Sequence, residues 1–271
     1  MIRFEKARRT FGRKVAVDDL SLTVNPGELF ALLGPNGAGK TTAIKLMVGL
    51  LRPGAGAVEV CGLSVVEDPR EATRLLGYVP DEPFLYDKLS GREFLQFVAE
   101  MRGLDPQTVE ARIARETDCF GLGDFLDGLT ETYSHGMKQR LVFASAMLHD
   151  PAVLVIDEPM VGLDPRSVRI VKDLLLARAA AGATVFMSTH TLAVAEEIAD
   201  RIGVMAGGRL HFLGTVPELR EALSSPDSSL ESLFLQLTDE NGNGSPSRTA
   251  GRSGRTVYIA SDENSLGDDH P

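Results

Sequence analysis

The chain has 271 residues, 43% of them hydrophobic, and a formal net charge of −10. That length builds one large domain or two small ones around a substantial core, and the acidic balance disfavours a nucleic-acid backbone as the main partner. The two cysteines, Cys61 and Cys119, stand far apart without metal-ligand spacing, and no apolar run reaches the roughly 18 residues of a membrane span.

In chain order, the first 27 residues alternate: Ile2 and Phe4, then Val15 and Val17, then Leu20, Leu22 and Val24. This predicts strands joined by turns, closing at Asn25-Pro26-Gly27. Met1 to Lys6 lacks the apolar core of a signal peptide, so the expectation is a soluble, cytoplasmic chain. Arg8, Arg9, Arg13 and Lys14 read as a solvated face, and Phe11 as a partly buried aromatic before a turn. Leu29 to Leu33 is a short apolar run that predicts a buried strand.

Gly34-Pro35-Asn36-Gly37-Ala38-Gly39-Lys40-Thr41-Thr42 follows, fitting G-x-x-x-x-G-K-[ST]. Thr42 to Val48 then reads as a helix. Strand, glycine loop and helix are the context a phosphate-binding loop demands. Glycines let backbone N–H groups turn inward toward phosphate oxygens, and the helix N-terminus adds partial positive charge. Lys40 suits the β- and γ-phosphates, and the Thr41 hydroxyl suits Mg²⁺. The loop indicates a nucleoside triphosphate without saying which one.

Arg52 to Gly56 reads as a turn, Ala57 to Cys61 as an alternating strand, and Leu75 to Pro80 as a strand ending at Asp81-Glu82. Ser90 and Glu93 make a capping box ahead of a helical stretch from Phe94 to Met101. Residues 90–130 read as mostly helical, broken at 103–106 and 121–123, which is an insert between strands. Ser134 stands at an N-cap position. Met137, Leu141, Ala144 and Leu148 then form one apolar stripe of a helix that stops near Asp150-Pro151.

Ala152 to Ile156 is apolar and ends in Asp157-Glu158. In open α/β sheets ligands sit at strand carboxyl ends, so Asp157 is a candidate Mg²⁺ partner and Glu158 a candidate base for water. Asp164 caps a helix from Pro165 or serves the site, and the two roles are compatible. Thr184 to Ser188 predicts another buried strand, ending at Thr189-His190. Residues 202–205 and 209–213 read as a closing hairpin, 230–237 as a short amphipathic helix, and 238–271 as a disordered tail.

The order of these motifs resembles the nucleotide-binding subunit of an ATP-binding cassette (ABC) transporter over residues 1–237. The match rests on the phosphate loop, Tyr133-Ser134-His135-Gly136-Met137-Lys138-Gln139-Arg140, Val153 to Pro159, Gly162-Leu163-Asp164-Pro165 and Ser188-Thr189-His190. The resemblance implies an α/β fold. It would have a P-loop NTPase core of mostly parallel sheet flanked by helices, an N-terminal antiparallel β subdomain, and a helical insert at about 84–150. It also implies roles. Phe11 would stack on adenine, residues 34–42 hold the phosphates with Lys40 among the catalytic groups, and Thr41, Asp157 and Asp81 hold Mg²⁺. Glu158 would polarise water and His190 contact the γ-phosphate. Ser134, His135 and Gly136 would close over the ATP of a second subunit, and Asp164 would face that subunit.

The implied partners are a transmembrane permease and a second cassette, with ATP and Mg²⁺ as ligands and the cytoplasmic face of the membrane as location. The ending around Leu233 to Thr238 is similar to export-type subunits. The helical insert, with Asp81, Glu82 and Asp87 nearby, would carry the docking surface. The alternative is a non-transport ABC ATPase acting on ribosomes or nucleic acid, disfavoured by the single cassette and the acidic charge. Three residues depart from the family pattern: Asp81 replaces a glutamine, His135 a glycine and Val161 a serine.

Overall fold

The computed structural model describes residues 1–222, 246–250 and 256–260. β1 (Ile2–Phe11) and β2 (Lys14–Val24) pair as an antiparallel hairpin. β4 (Ala55–Val60) adds to the free edge of β1, and β5 (Leu63–Ser64) to β4, in the order β2-β1-β4-β5. Side-chain alternation sets the face: Ile2, Phe4, Leu20, Leu22 and Val24 are buried while the residues between them meet solvent.

The second sheet is β10-β9-β3-β8-β7-β6, built from β3 (Leu29–Leu33), β6 (Leu76–Val79), β7 (Val153–Ile156), β8 (Thr184–Thr189), β9 (Arg201–Ala206) and β10 (Arg209–Gly214). Every neighbouring pair is parallel except β9 with β10, which is the closing hairpin. A parallel sheet is covered on both faces, so its strands read as unbroken apolar runs. β3 shows the consequence. Leu29, Ala31 and Leu33 join one core, and Phe30 and Leu32 join the other. The second core lies between the two sheets around α1 (Lys40–Met47).

α2 (Pro69–Arg74) precedes β6, and α3 (Gly91–Met101), α4 (Pro106–Phe120) and α5 (His135–Met147) form the helical insert. Their starts are chemically specified. Ser90 and Glu93 make the expected capping box, Asp105 caps α4 with Pro106 at its first position, and Ser134 accepts from the Met137 amide at 3.3 Å. Phe120 stacks on Phe143 at 5.9 Å between ring centres. Glu116, 1% exposed, meets Arg115 at 2.7 Å and Arg178 of α6 (Pro165–Ala180) at 4.0 Å, while both arginines also pair with Asp150. Burial raises the Glu116 pKa despite these cations. The network ties the insert to the sheet's helical layer.

α7 (Leu192–Ile198) and α8 (Val216–Ala222) complete the described helices. The expected helix at 230–237 lies outside the described residues, as does most of the expected tail. Within that tail β11 (Pro246–Ala250) and β12 (Thr256–Ala260) pair antiparallel. Among the described residues no helix is long and apolar enough to cross a membrane.

Candidate nucleotide site

β3, β8 and β7 are neighbours and parallel, so their carboxyl ends lie side by side. Gly34 follows β3, Asp157 follows β7, and His190 follows β8. The site is therefore a product of topology.

The loop after β3 leaves no room for a side chain at two places. A Cβ on Gly34 would lie 2.3 Å from the Met205 carbonyl oxygen. Gly39 has φ of +108°, and a Cβ there would lie 2.2 Å from the Ala16 carbonyl oxygen. Backbone from β2 and β9 thus presses on the loop and fixes its curl. Gly39 is also the N-cap of α1, whose first turn offers amides with no partner inside the helix. Together they open on a cleft of about 270 Å³ lined by Phe11, Lys14, Ala16, residues 35–42, Asp81 and Glu158. Phe11 is 46% exposed, at the end of β1, with the Arg9 guanidinium 5.0 Å from its ring centre.

Lys40 is buried and folded back on its own loop. Its Nζ donates to the carbonyls of Gly34 at 2.7 Å and Pro35 at 3.3 Å, and pairs with Glu158 Oε1 at 3.4 Å. Glu158 Oε2 lies 2.9 Å from His190 Nδ1. The carboxylate is thus held between a cation and an imidazole. Its backbone sits at φ +49°, an uncommon conformation for a residue other than glycine, and its amide donates to Ser188 Oγ at 3.1 Å.

Asp157 is fully buried. Oδ1 accepts a short bond from Ser188 Oγ, and Oδ2 has no partner of normal hydrogen-bond geometry. The Thr41 hydroxyl is close enough to pull the carboxyl pKa down. Burial outweighs that, and with Asp81 and Glu158 nearby the net pKa is raised. Tyr78 on β6 shares this environment, its phenol pushed well up by burial and then by Asp157 and Asp81. A buried carboxylate oxygen without a partner, beside a threonine hydroxyl and near Asp81, is a set of hard oxygen donors that suits Mg²⁺. Among the described residues no cluster of three or more His, Cys, Asp or Glu would hold a metal by itself. Mg²⁺ normally needs only one or two carboxylates when phosphates supply the rest.

The remaining expected residues sit elsewhere. Ser134, His135 and Gly136 open α5 and do not line the cleft. The His135 ring rests on Gly162, where a Cβ would come within 2.6 Å of it. His135 has no positive φ, so the bulkier residue costs the backbone nothing in this conformation. Asp164 caps α6, accepting from Arg166 N at 3.1 Å, Ser167 N at 3.4 Å and Ser167 Oγ. Val161 is exposed. Motif reading missed Ser188 and Tyr78 as neighbours of the carboxylates, and Lys14 and Ala16 as cleft lining. A serine after Val185-Phe186-Met187 was the available signal.

Residues 17–161 match the family described as ABC transporter, and residues 129–196 match a second described as AAA domain, putative AbiEii toxin, Type IV TA system. The ABC-type transporter ATP-binding protein EcsA of Bacillus subtilis is 35% identical over 231 residues, covering 85% of this chain and 94% of the relative. The daunorubicin/doxorubicin resistance ATP-binding protein DrrA of Streptomyces peucetius is 37% identical over 252 residues, covering 93% of this chain and 75% of that one. A solved ATP-binding subunit of an ABC transporter superimposes with a TM-score of 0.82 at 32% identity, over 88% of this chain and 99% of that one.

Proposed function

This chain belongs to the ABC transporter ATP-binding family, and from that premise we propose that it binds and hydrolyses ATP to power export through a separate transmembrane permease. One observation carries the reading. The phosphate loop, Asp81 and Glu158 line one cleft, and Glu158 there meets His190, which lies 156 positions beyond Gly34 in sequence.

The residues divide the work. Phe11 offers an aromatic face at the mouth for adenine, and residues 34–42 offer amides, a helix N-terminus and the Lys40 ammonium to the phosphates. Lys40 spends its hydrogen bonds on its own loop in this structure, so a triphosphate would compete with two carbonyls and Glu158 for it. Thr41, Asp157 and Asp81 would hold Mg²⁺, which supplies neutralisation of phosphate charge when bound.

Glu158, released from Lys40, accepts a hydrogen bond from the attacking water, and His190 holds its other oxygen. The water oxygen bonds to the γ-phosphorus and its proton passes to Glu158 while the bond to the β–γ bridging oxygen breaks, leaving ADP and phosphate. Such displacement relies on position and charge more than on covalent chemistry. Ser134 to Gly136 and Asp164 lie outside this cleft. In the proposal they serve the cleft of a second cassette, homologous or identical, so that two nucleotides close the pair and hydrolysis reopens it. The chain would work at the cytoplasmic face of the membrane, held by its permease.

Export rests on relatives such as the drug-resistance protein DrrA. The test is a pull-down of tagged Glu158→Gln chain from solubilised membranes with ATP present. Recovery of a multi-span membrane protein is the expected result. Recovery of ribosomes or nucleic acid would overturn the transport reading and favour a non-transport ATPase.

A further inference from the structure

Ser188 sits at the centre of the sheet, fully buried, directly after Val185, Phe186 and Met187 on β8. Its flanking strands are β3 and β7, the two that deliver the phosphate loop and the carboxylates. A hydroxyl in that position needs partners, and it has two of opposite kind. It accepts from the Glu158 amide at 3.1 Å, and it donates to Asp157 Oδ1.

The direction of the second bond is forced. An amide can only donate, so Ser188 accepts there, and an ionised carboxylate can only accept, so the Ser188 proton is the one shared with Asp157. That proton lies on Asp157 Oδ1. Oδ1 is thereby committed as an acceptor, and Oδ2 is left without a partner of normal hydrogen-bond geometry, with the Thr41 hydroxyl near the carboxyl. The same hydroxyl anchors the amide of Glu158 in its left-handed conformation, from which the side chain reaches Lys40 and His190.

We infer that Ser188 is a positioning residue, orienting Asp157 toward a divalent cation and Glu158 toward the reacting water through a single hydroxyl. The inference rests on the ATPase reading above and assigns it a residue outside the family's phosphate-loop, aspartate, glutamate and histidine positions. A hydroxyl in contact with a metal-binding carboxylate acts on the metal without touching it.

The test uses the purified full chain with Mn²⁺ and a non-hydrolysable ATP analogue, read by electron paramagnetic resonance, beside ATP turnover with the membrane partner. Ser188→Ala should weaken Mn²⁺ binding about ten-fold and lower kcat by ~10–100-fold. KM for ATP and metal-free analogue binding should stay within about two-fold, because no phosphate contact is removed. Ser188→Cys, close in size but a poor donor, should behave like Ser188→Ala, and Ser188→Thr should restore both readouts.

Mn²⁺ binding and kcat within about two-fold of the parent in the Ala and Cys variants would overturn the inference. So would equal losses of metal binding and metal-free nucleotide binding, which would mark a packing defect. If the parent hydrolyses no ATP above the Glu158→Gln control, the ATPase reading falls, while the Mn²⁺ titration still decides Ser188.

Discussion

The cleft at the strand ends and the surface around Ser134 and Asp164 are built to opposite rules. At the cleft Lys40 is tied to Glu158, Glu158 to His190, and the neighbouring buried Asp157 to Ser188. At the signature end Ser134, His135 and Asp164 are exposed, and their bonds only start helices or rest on Gly162. A catalytic centre complete in one chain would have drawn both sets together. The contrast is what the proposed pairing of two cassettes would require: one cleft in each chain, and a second set of residues left exposed away from it.

The largest effect expected is inside the cleft. Glu158→Gln keeps the volume and the bond partners but removes the base, so turnover should fall by ~10²–10⁴-fold while ATP binding persists. A radiolabelled or fluorescent ATP titration beside a phosphate-release assay reads both. Equal loss of binding and turnover would mean that Glu158 mainly stabilises the loop through Lys40. The next effect belongs to the other region. In a Glu158→Gln background with ATP, the chain should elute as a dimer, and adding Ser134→Arg should return it to a monomer with ATP affinity within about two-fold, because Ser134 lies outside its own cleft. If Ser134→Arg instead weakens ATP binding by the monomer, the two regions are not separate.

The contrast also appears in how much each region showed in the sequence. The cleft's contiguous parts were legible because phosphate binding dictates residue types at fixed spacing: residues 34–42, then Asp157-Glu158 after an apolar strand. The capping residues Ser90, Ser134 and Asp164 were legible for the same reason, since a cap bonds only to its own first turn. What joins Ser188 to Asp157 and Glu158, or Tyr78 to Asp157, depends on which strands become neighbours, and strand order is not written locally. The Glu116, Arg115, Asp150 and Arg178 network escaped for that reason. α2 and α7 are short, six and seven residues, and leave little periodicity to read. Which helix ends would face a second chain was implied only by family likeness.

A smaller effect concerns the cost of holding Asp157 ready. Burial raises its pKa above that of the unfolded chain. A carboxyl whose folded pKa is raised binds its proton more tightly when native, so the fold loses stability as pH rises through that pKa. At pH 8 the nucleotide-free protein carries this penalty in full. Asp157→Asn keeps the acceptor for Ser188 and removes the charge, so Tm should rise by ~2–4 °C, about 1 kcal/mol for a domain of this size. The gain should shrink as pH falls and the wild-type carboxyl takes up its proton. Calorimetry across pH 5–8 checks the sign, and a Tm that drops at pH 8 would show that the carboxylate is stabilised by its neighbours even without a cation. Turnover should be lost in either case.

At the signature end the corresponding substitution should behave in reverse. Asp164 is exposed and its pKa is held down, first by Ser167 and then by the amides it caps. Removing it by Asp164→Ala costs a helix cap and should lower Tm by ~2–4 °C. Asp164→Asn retains an acceptor oxygen and should recover most of that loss. The informative quantity is what Asn does to dimerisation in the Glu158→Gln background. If Asp164 only caps α6, Asn restores dimer and Tm together. If it also meets the facing cassette as a charge, Asn restores Tm and leaves the dimer weakened, which separates the local role from the one offered outward.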